Sequence, residues 1–458
     1  MKNRDLLILA ILVLYCTLFF PFMGWSIQIK AVGVLIIIQT LWISRVFPLA
    51  FSSLLLILIL SIHFFNYEET LKYFGSSLVW LLFSTFILSY AFIQTGLASR
   101  VSLYILNLAK GSGKLLILVS FLMSFVLTLF IPSNLGKGTL ISSILDDIVQ
   151  GLKEIQPTSN LGKSLFIGLA YVSSIAAAFV PTGASSTIYA FDIFKEISDK
   201  ITYFRWILYF GPPIILFIFI LWLILNRFFP LVKVDVETVS KFIEDKLKII
   251  GRWRTNEIKI AIIIGGTLAL WLTQPLHGYS IPLVGLLGAC LSILPKVGVI
   301  EWDEAKKGVS WDLMIFFAST LMLSNMLIDT GTIDVFVTFL IKHINGLPTT
   351  LVIVGLILFT ALIRIVFVNV LGFLTIMLPL ATSLGNQMPD VSPLILGMVV
   401  YLAGVPGFLL ITQSPVHLIS FSYGHFIGKD LFRVGALSLI IWVTFVLLSA
   451  FLYWNILI

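Results

Sequence analysis

An all-α polytopic membrane protein is the fold class this sequence predicts, and three observations predict it. Apolar residues make up 59% of the 458 residues and charged ones only 11%, a proportion from which no water-facing surface can be built. Apolar runs of about 20 residues, the length that crosses the hydrocarbon core of a bilayer, recur from end to end. Alternating segments of about ten residues, the mark of an outer-membrane barrel, do not occur in it. The net charge of +7 fits cytoplasmic loops that retain positive charge and does not require a nucleic-acid partner. Cys16 and Cys290 both fall in apolar runs; two thiols buried there suggest neither a disulfide nor a metal site.

The first run, near residues 6–23, follows Lys2, Arg4 and Asp5 and leads into FFPFMGW, which offers no small-residue cleavage site. It reads as an uncleaved first helix. Further runs lie near 31–45, 47–65, 77–94, 114–131, 161–180 and 204–226. Residues 227–257 break the pattern with both charge signs, and VSKFIEDKLKIIGRW within them has the spacing of an amphipathic helix on the cytoplasmic face. Runs resume near 257–274, 280–295, 310–328, 348–367, 391–410 and 434–456. The chain thus divides into a first half at 1–226, a linker at 227–257 and a second half at 258–458.

The halves resemble each other. STFILSYAFIQTG (Ser84–Gly96) aligns with STLMLSNMLIDTG (Ser319–Gly331) at a shift of 235, matching Ser, Thr, Ser, Thr and Gly as well as apolar residues. The same shift carries Asn134 onto Asn369, and a shift of 230 carries Tyr171 and Thr182 onto Tyr401 and Thr412. TYFRW at Thr202–Trp206 then answers DLFRV at Asp430–Val434. Lys2 and Arg4 place the N-terminus in the cytoplasm. The span after Lys429 and Arg433 runs outward to an extracellular C-terminus, whereas its counterpart after Arg205 runs inward to the linker, so the repeats are inverted.

Each half breaks twice at matching depths. IPSNLGKG and VPTGASST interrupt the first half; FVNVLGF and ITQSPVH interrupt the second. Unwound backbone at membrane depth survives only where protein buries it or a cavity borders it, and breaks paired between halves point to a transporter's binding site. Free amides at half-helix N-termini suit an anion. The candidate substrate-binding residues are Ser133, Asn134, Lys137, Thr182, Gly183, Asn369, Thr375, Thr412, Ser414 and Pro415, with re-entrant hairpins near 132–148 and 368–388. Ser185 and Ser186 stand beside them, and His417 follows.

The order of these features resembles the divalent anion/sodium symporter family (DASS), whose members carry di- and tricarboxylates or sulfate. The family's Ser-Asn-Thr hairpin tip is similar to Ser133-Asn134-Leu135, with Val368-Asn369-Val370 as its second copy. Its proline-bearing loops resemble PTGASST and TQSPVH, and Ile300–Gly331 and Phe204–Pro213 are similar to its second-half entry and first-half closing spans. The resemblance covers nearly the whole chain. It implies a scaffold that forms a homodimer, a transport domain that moves as an elevator, and weak sodium sites at Ser133, Asn134, Gly183, Asn369 and Thr412. Leu135, Val368 and Val370 replace hydroxyl-bearing residues of that pattern, and neither loop keeps its final Asn. Those losses argue against sodium, and Lys137 and His417 stand where a fixed positive charge replaces a bound cation or couples transport to protons.

Plainer readings stay open beside these. Lys137 also fits a side chain snorkelling from a hairpin rim, His417 a packing histidine, and Asn134 and Asn369 simple helix caps. Thr182 and Thr412 fit hydroxyls bonded to their own helices, and Arg364 and Asp312 read as anchors near span ends. The functional expectation is a plasma-membrane carrier of C4-dicarboxylates or 2-oxoglutarate, running as a sodium-independent exchanger with no cofactor. The alternatives are a sodium-coupled symporter of dicarboxylate, citrate or sulfate, and a membrane-embedded enzyme acting on a lipid-linked substrate. No cluster of acids or histidines supports the enzyme, and no phosphate-binding loop supports ATP-driven transport.

Overall fold

The computed structural model describes residues 3–21, 23–131, 133–153, 158–231, 236–344, 346–388 and 391–457. Helices α1 (Asn3–Phe19), α2 (Ile27–Ser44), α3 (Leu49–His63) and the short α4 (Tyr67–Lys72) open the chain. Then come α5 (Ser77–Gln94), α6 (Leu97–Asn107), α7 (Gly113–Thr128), α8 (Asn134–Lys153), α9 (Ser159–Ala177), α10 (Ser185–Ile197) and α11 (Tyr203–Phe228). The linker holds α12 (Val236–Ile250), followed by α13 (Thr255–Leu272), α14 (Gln274–His277), α15 (Ile281–Ile293) and α16 (Trp302–Gly308). The remainder is α17 (Trp311–Asp329), α18 (Thr332–Ile344), α19 (Thr349–Ile363), α20 (Val370–Gln387), α21 (Pro393–Gly404), α22 (Pro415–Ser422), α23 (Gly428–Leu448) and α24 (Trp454–Leu457).

Among the described residues, seven helices are long and apolar enough to cross a membrane. Several apolar runs form helices shorter than a span. The run near 114–131 forms α7 and breaks before α8, and the run near 348–367 forms α19 and breaks before α20. The order of elements from α5 to α11 recurs from α17 to α23: a long helix, a short amphipathic one, two hairpin arms, a broken helix and a closing helix. The glycines aligned in sequence mark the same corner. Gly96 (φ 87°) and Gly331 (φ 67°) lie in the left-handed region after α5 and α17, where a side chain is strained and glycine is not.

Each broken helix frees carbonyls that water cannot reach, and buried donors from elsewhere meet them. Thr187 Oγ1 donates to the Ala177 carbonyl at 3.0 Å and Trp206 Nε1 to Ala178 at 2.9 Å. In the second half Trp442 Nε1 donates to Leu402 at 2.9 Å, and the Tyr171 hydroxyl to Phe408 at 3.0 Å. Satisfying these groups is what lets irregular backbone persist at this depth. Tyr401, the sequence counterpart of Tyr171, donates to Thr187 Oγ1 at 3.0 Å. Its ring packs edge-on to Trp206 with centroids 5.1 Å apart, in an aromatic core joining the halves.

The hairpins cross between halves. α8 packs on α9 and also on α22, while α20 packs on α21 and also on α10. This exchange draws the two tips and the two helix breaks to one place. Cys16 and Cys290, expected to be buried, are exposed on the outer surface, because their helices turn those faces away from the core.

The linker is clamped by a buried ion pair. Arg100 Nε lies 3.1 Å from both Glu257 oxygens, and its Nη atoms donate to the Gly251 and Arg252 carbonyls at 2.8 and 2.9 Å. Both side chains are almost fully buried, so removing one strands the other. Arg100→Ala is expected to lower stability by roughly 3–5 kcal/mol. A thermal melt of the purified protein checks this, and an unchanged midpoint would contradict the clamp.

Candidate functional site

Four helix N-termini border one cavity of about 90 Å³. Ser133 and Asn134 bring the start of α8, Ala184 to Ser186 the start of α10, Val368 to Val370 the start of α20, and Ser414 and Pro415 the start of α22. Ser174 of α9 faces the same space, and Leu82, Phe86 and Leu313 close it with apolar surface. The caps follow from residue type. Asn369 Oδ1 accepts from the Leu371 amide at 2.8 Å, Ser414 Oγ from Val416 at 3.3 Å and Ser133 Oγ from Gly136 at 3.2 Å. Ala184 makes no side-chain cap on α10, which leaves the first amides of that turn uncapped at the cavity wall. The Asn134 Oδ1 and Ser174 Oγ atoms are buried without a partner, as polar groups awaiting a ligand would be.

A vestibule of about 620 Å³ adjoins this cavity and shares Leu135, Leu313, Val368, Asn369 and Pro415 with it. Its outer walls are the end of α2 at Arg45, residues 47–49 leading into α3, and Ser310 and Asp312 at the start of α17.

Behind the tips stand two fully buried basic side chains. Lys137 is 0% exposed, and its Nζ donates to Thr128 Oγ1 at 2.7 Å and to the Gly183 carbonyl at 3.3 Å. This ties the first turn of α8 to the end of α7 and to the α9–α10 break. Arg364 is 1% exposed; its Nε donates to the Gly404 carbonyl at 2.8 Å and its Nη2 to Gln413 at 3.1 Å. Its Nη1 donates to the Phe367 carbonyl in the second tip. The shift of 230 that pairs Thr182 with Thr412 also pairs Gly183 with Gln413, so the two basic side chains bind matching carbonyls. No acidic side chain pairs with either one among the described residues.

Several sequence candidates therefore take other places. Lys137 does not border the cavity; its ammonium points back to Thr128 and Gly183, where carbonyl and hydroxyl oxygens replace water. Thr182 bonds the Tyr203 hydroxyl at 3.0 Å beside a separate small cavity between α5 and α13. Thr375 bonds its own helix at Gly372, and Thr412 is exposed outside the cavity. Gly183 contributes a carbonyl to Lys137 and no surface to the cavity. His417 lies one turn into α22, its Nδ1 3.1 Å from the Leu410 carbonyl and its ring edge-on to Tyr171. Arg364, expected to be an anchor near a span end, is instead interior, because the chain turns back into the hairpin at that residue. Ser174 was also missed. Serines within apolar helices are common, and nothing local distinguishes it from Ser173.

The chain matches, over residues 2–458, the family described as sodium:sulfate symporter transmembrane region. It belongs to that family. This member is a multi-pass membrane transporter and not an enzyme, so the lipid-linked enzyme reading falls away. It is 25% identical over 388 residues to the citrate/succinate antiporter of Escherichia coli K12, covering 82% of this chain and 78% of the relative. It is 23% identical over 400 residues to the L-tartrate/succinate antiporter of the same strain, covering 83% and 79%. A membrane protein of Cupriavidus necator is 22% identical over 388 residues, covering 83% and 75%. For a symporter-family chain the cavity has an informative polarity: among the described residues its wall carries no carboxylate.

Proposed function

We propose that this transporter exchanges small divalent organic anions, C4-dicarboxylates or 2-oxoglutarate, across the plasma membrane without sodium. The observation that carries the proposal is the convergence of four helix N-termini on one cavity whose described wall holds no acid. Each N-terminus presents about half an elementary charge, so four supply roughly two, the charge of a dicarboxylate. The printed names of the two Escherichia coli relatives, both antiporters of succinate with a second di- or tricarboxylate, agree with that chemistry.

Lys137 and Arg364 give a reason for exchange. Both are buried without acidic partners among the described residues. An empty carrier crossing the bilayer with two uncompensated charges meets a large desolvation barrier, and a bound dianion lowers it. Arg364 thus takes in the second half the role the sequence suggested for His417. Several backbone oxygens beside the breaks are already taken by the two basic side chains, which supports a carrier that runs without sodium. Thr128 and the Gly183 carbonyl already take the Lys137 ammonium, and the Gly404, Phe367 and Gln413 carbonyls take the Arg364 guanidinium. No step of transport is assigned to sodium.

The proposal extends to architecture. The halves at 1–226 and 258–458 are inverted copies around the linker at 227–257, with a cytoplasmic N-terminus and an extracellular C-terminus. Hairpins, broken helices and closing helices move together as an elevator against a dimeric scaffold, and lipid surrounds the whole. Under this topology the vestibule at Arg45 and Asp312 opens to the cytoplasm.

Proteoliposomes loaded with unlabelled succinate are expected to take up labelled succinate equally well in sodium and choline buffers, and empty ones to take up little. Uptake that needs sodium, or that proceeds at full rate into empty vesicles, would replace exchange with sodium-coupled symport or with uniport.

A further inference from the structure

The linker helix fills a groove in the first half that the second half leaves open. α12 packs on both α6 and α8 and buries Val239 and Ile243. Its Phe242 lies so close to Gly151 that a Cβ there would meet the ring at 2.5 Å. Just beyond it, Trp253 stacks on Tyr104 of α6 with centroids 6.4 Å apart. In the second half the corresponding elements α18, α19 and α20 enclose a cavity of about 510 Å³ instead. Its lining is apolar apart from Thr332, with Phe336 and Phe339 from α18, Leu351 and Phe359 from α19 and Leu380 from α20. The shift of 235 pairs Tyr104 with Phe339. Phe339 has no linker ring over it and is 59% exposed.

We infer that this groove is a binding site for an acyl chain of an anionic phospholipid, wedged between α18 and the α19–α20 hairpin. The matching groove is occupied by this chain's own apolar side chains, so the geometry is one that takes an apolar guest. The linker is already used on the opposite side, and water gains no partners from such a wall. The head group is set by charge. Lys342 and His343 are exposed in the last turn of α18, beside Ile344 and Leu347, which close that end of the groove. A phosphate there meets the Lys342 ammonium, whose full charge outweighs the partial negative charge of the carbonyls that end α18. Because Asn369 caps the start of α20, a guest between α18 and α20 also restrains the second tip, and this consequence alone rests on the transport reading above.

The test is photolabelling of the reconstituted full-length protein with phosphatidylglycerol carrying a diazirine on one acyl chain, mapped by mass spectrometry. Labelling of α18–α20 is expected several-fold above that of Ile215, Leu216 and Phe219, which are exposed on α11. Gly355 borders the groove and has no atom within 4 Å of an added Cβ. Gly355→Trp is therefore expected to fill the space and reduce labelling to the α11 level, with an unchanged melting midpoint. Lys342→Gln is expected to abolish the preference for phosphatidylglycerol over phosphatidylcholine. Equal labelling of groove and α11, labelling indifferent to Gly355→Trp, or no head-group preference in the unmodified protein would each overturn the site. Disulfide trapping of Phe339→Cys between two copies would put a second copy in the groove and overturn it too. Labelling needs no transport, so its failure is distinguishable from failure of the exchange reaction.

Discussion

Lys137→Met is expected to abolish anion exchange while leaving the stability of the protein close to that of the wild type. The two effects separate for one physical reason. Lys137 is fully buried, with one hydroxyl and one carbonyl as partners and no counter-ion among the described residues. Burying such an ion costs several kcal/mol even after relaxation, and its two charge-assisted hydrogen bonds return about 1.5–3 kcal/mol each. Methionine is one heavy atom shorter but close in volume; it removes the buried charge and leaves the Gly183 carbonyl without the Lys137 donor, so the gain and the loss nearly offset. The dianion, however, loses one of the two side-chain charges that stand behind the cavity and add to the field of the helix N-termini. A fall in exchange of at least about 100-fold, equivalent to roughly 2.8 kcal/mol, is the expected reading in succinate-loaded proteoliposomes. A melting curve on the same preparation supplies the second reading. Near-normal exchange would make the ammonium a packing detail, and a collapsed melting curve would make it structural.

Gly183→Ala is expected to cost both substrate binding and stability. A Cβ at this position meets the Ala177 carbonyl oxygen at 2.2 Å and Thr128 Cγ2 at 2.9 Å. The first of these is backbone held by Thr187 Oγ1 at 3.0 Å, so the loop itself has to move. Overpacking of this kind costs typically about 1–3 kcal/mol. The displacement carries Ala184 to Ser186 away from the cavity and draws the Gly183 carbonyl from Lys137. Gly266→Ala is the control: it lies inside α13 with nothing within 4 Å of an added Cβ, and alanine there favours the helix. Ligand-induced thermal stabilisation by succinate separates the two variants. It is expected to vanish in Gly183→Ala and persist in Gly266→Ala, and its persistence in both would remove the break from the site.

The membrane class, the apolar runs and the interruptions at residues 132–134, 181–184, 368–369 and 411–414 were legible in the sequence. Each is a local property. Hydropathy and period are properties of a window of residues, and a proline or glycine interrupts the window in which it lies. Ser133, Asn134, Asn369, Ser414 and Pro415 were found this way and do border one cavity. The glycines aligned at a shift of 235, Gly96 and Gly331, both proved to occupy left-handed backbone, which selects glycine locally.

What only the tertiary structure decided is which way the buried groups face. Lys137 reaches a carbonyl 46 residues away and Arg364 one 49 residues away, and no window contains both partners. The sequence shows that Lys137, Arg364, Thr182 and Thr412 lie near breaks. Whether each meets ligand, backbone or lipid depends on how the hairpin of one half crosses the broken helix of the other. That crossing is a long-range packing solution, set by the summed fit of many apolar surfaces, and it turns the charged tips of Lys137 and Arg364 onto backbone carbonyls behind the cavity.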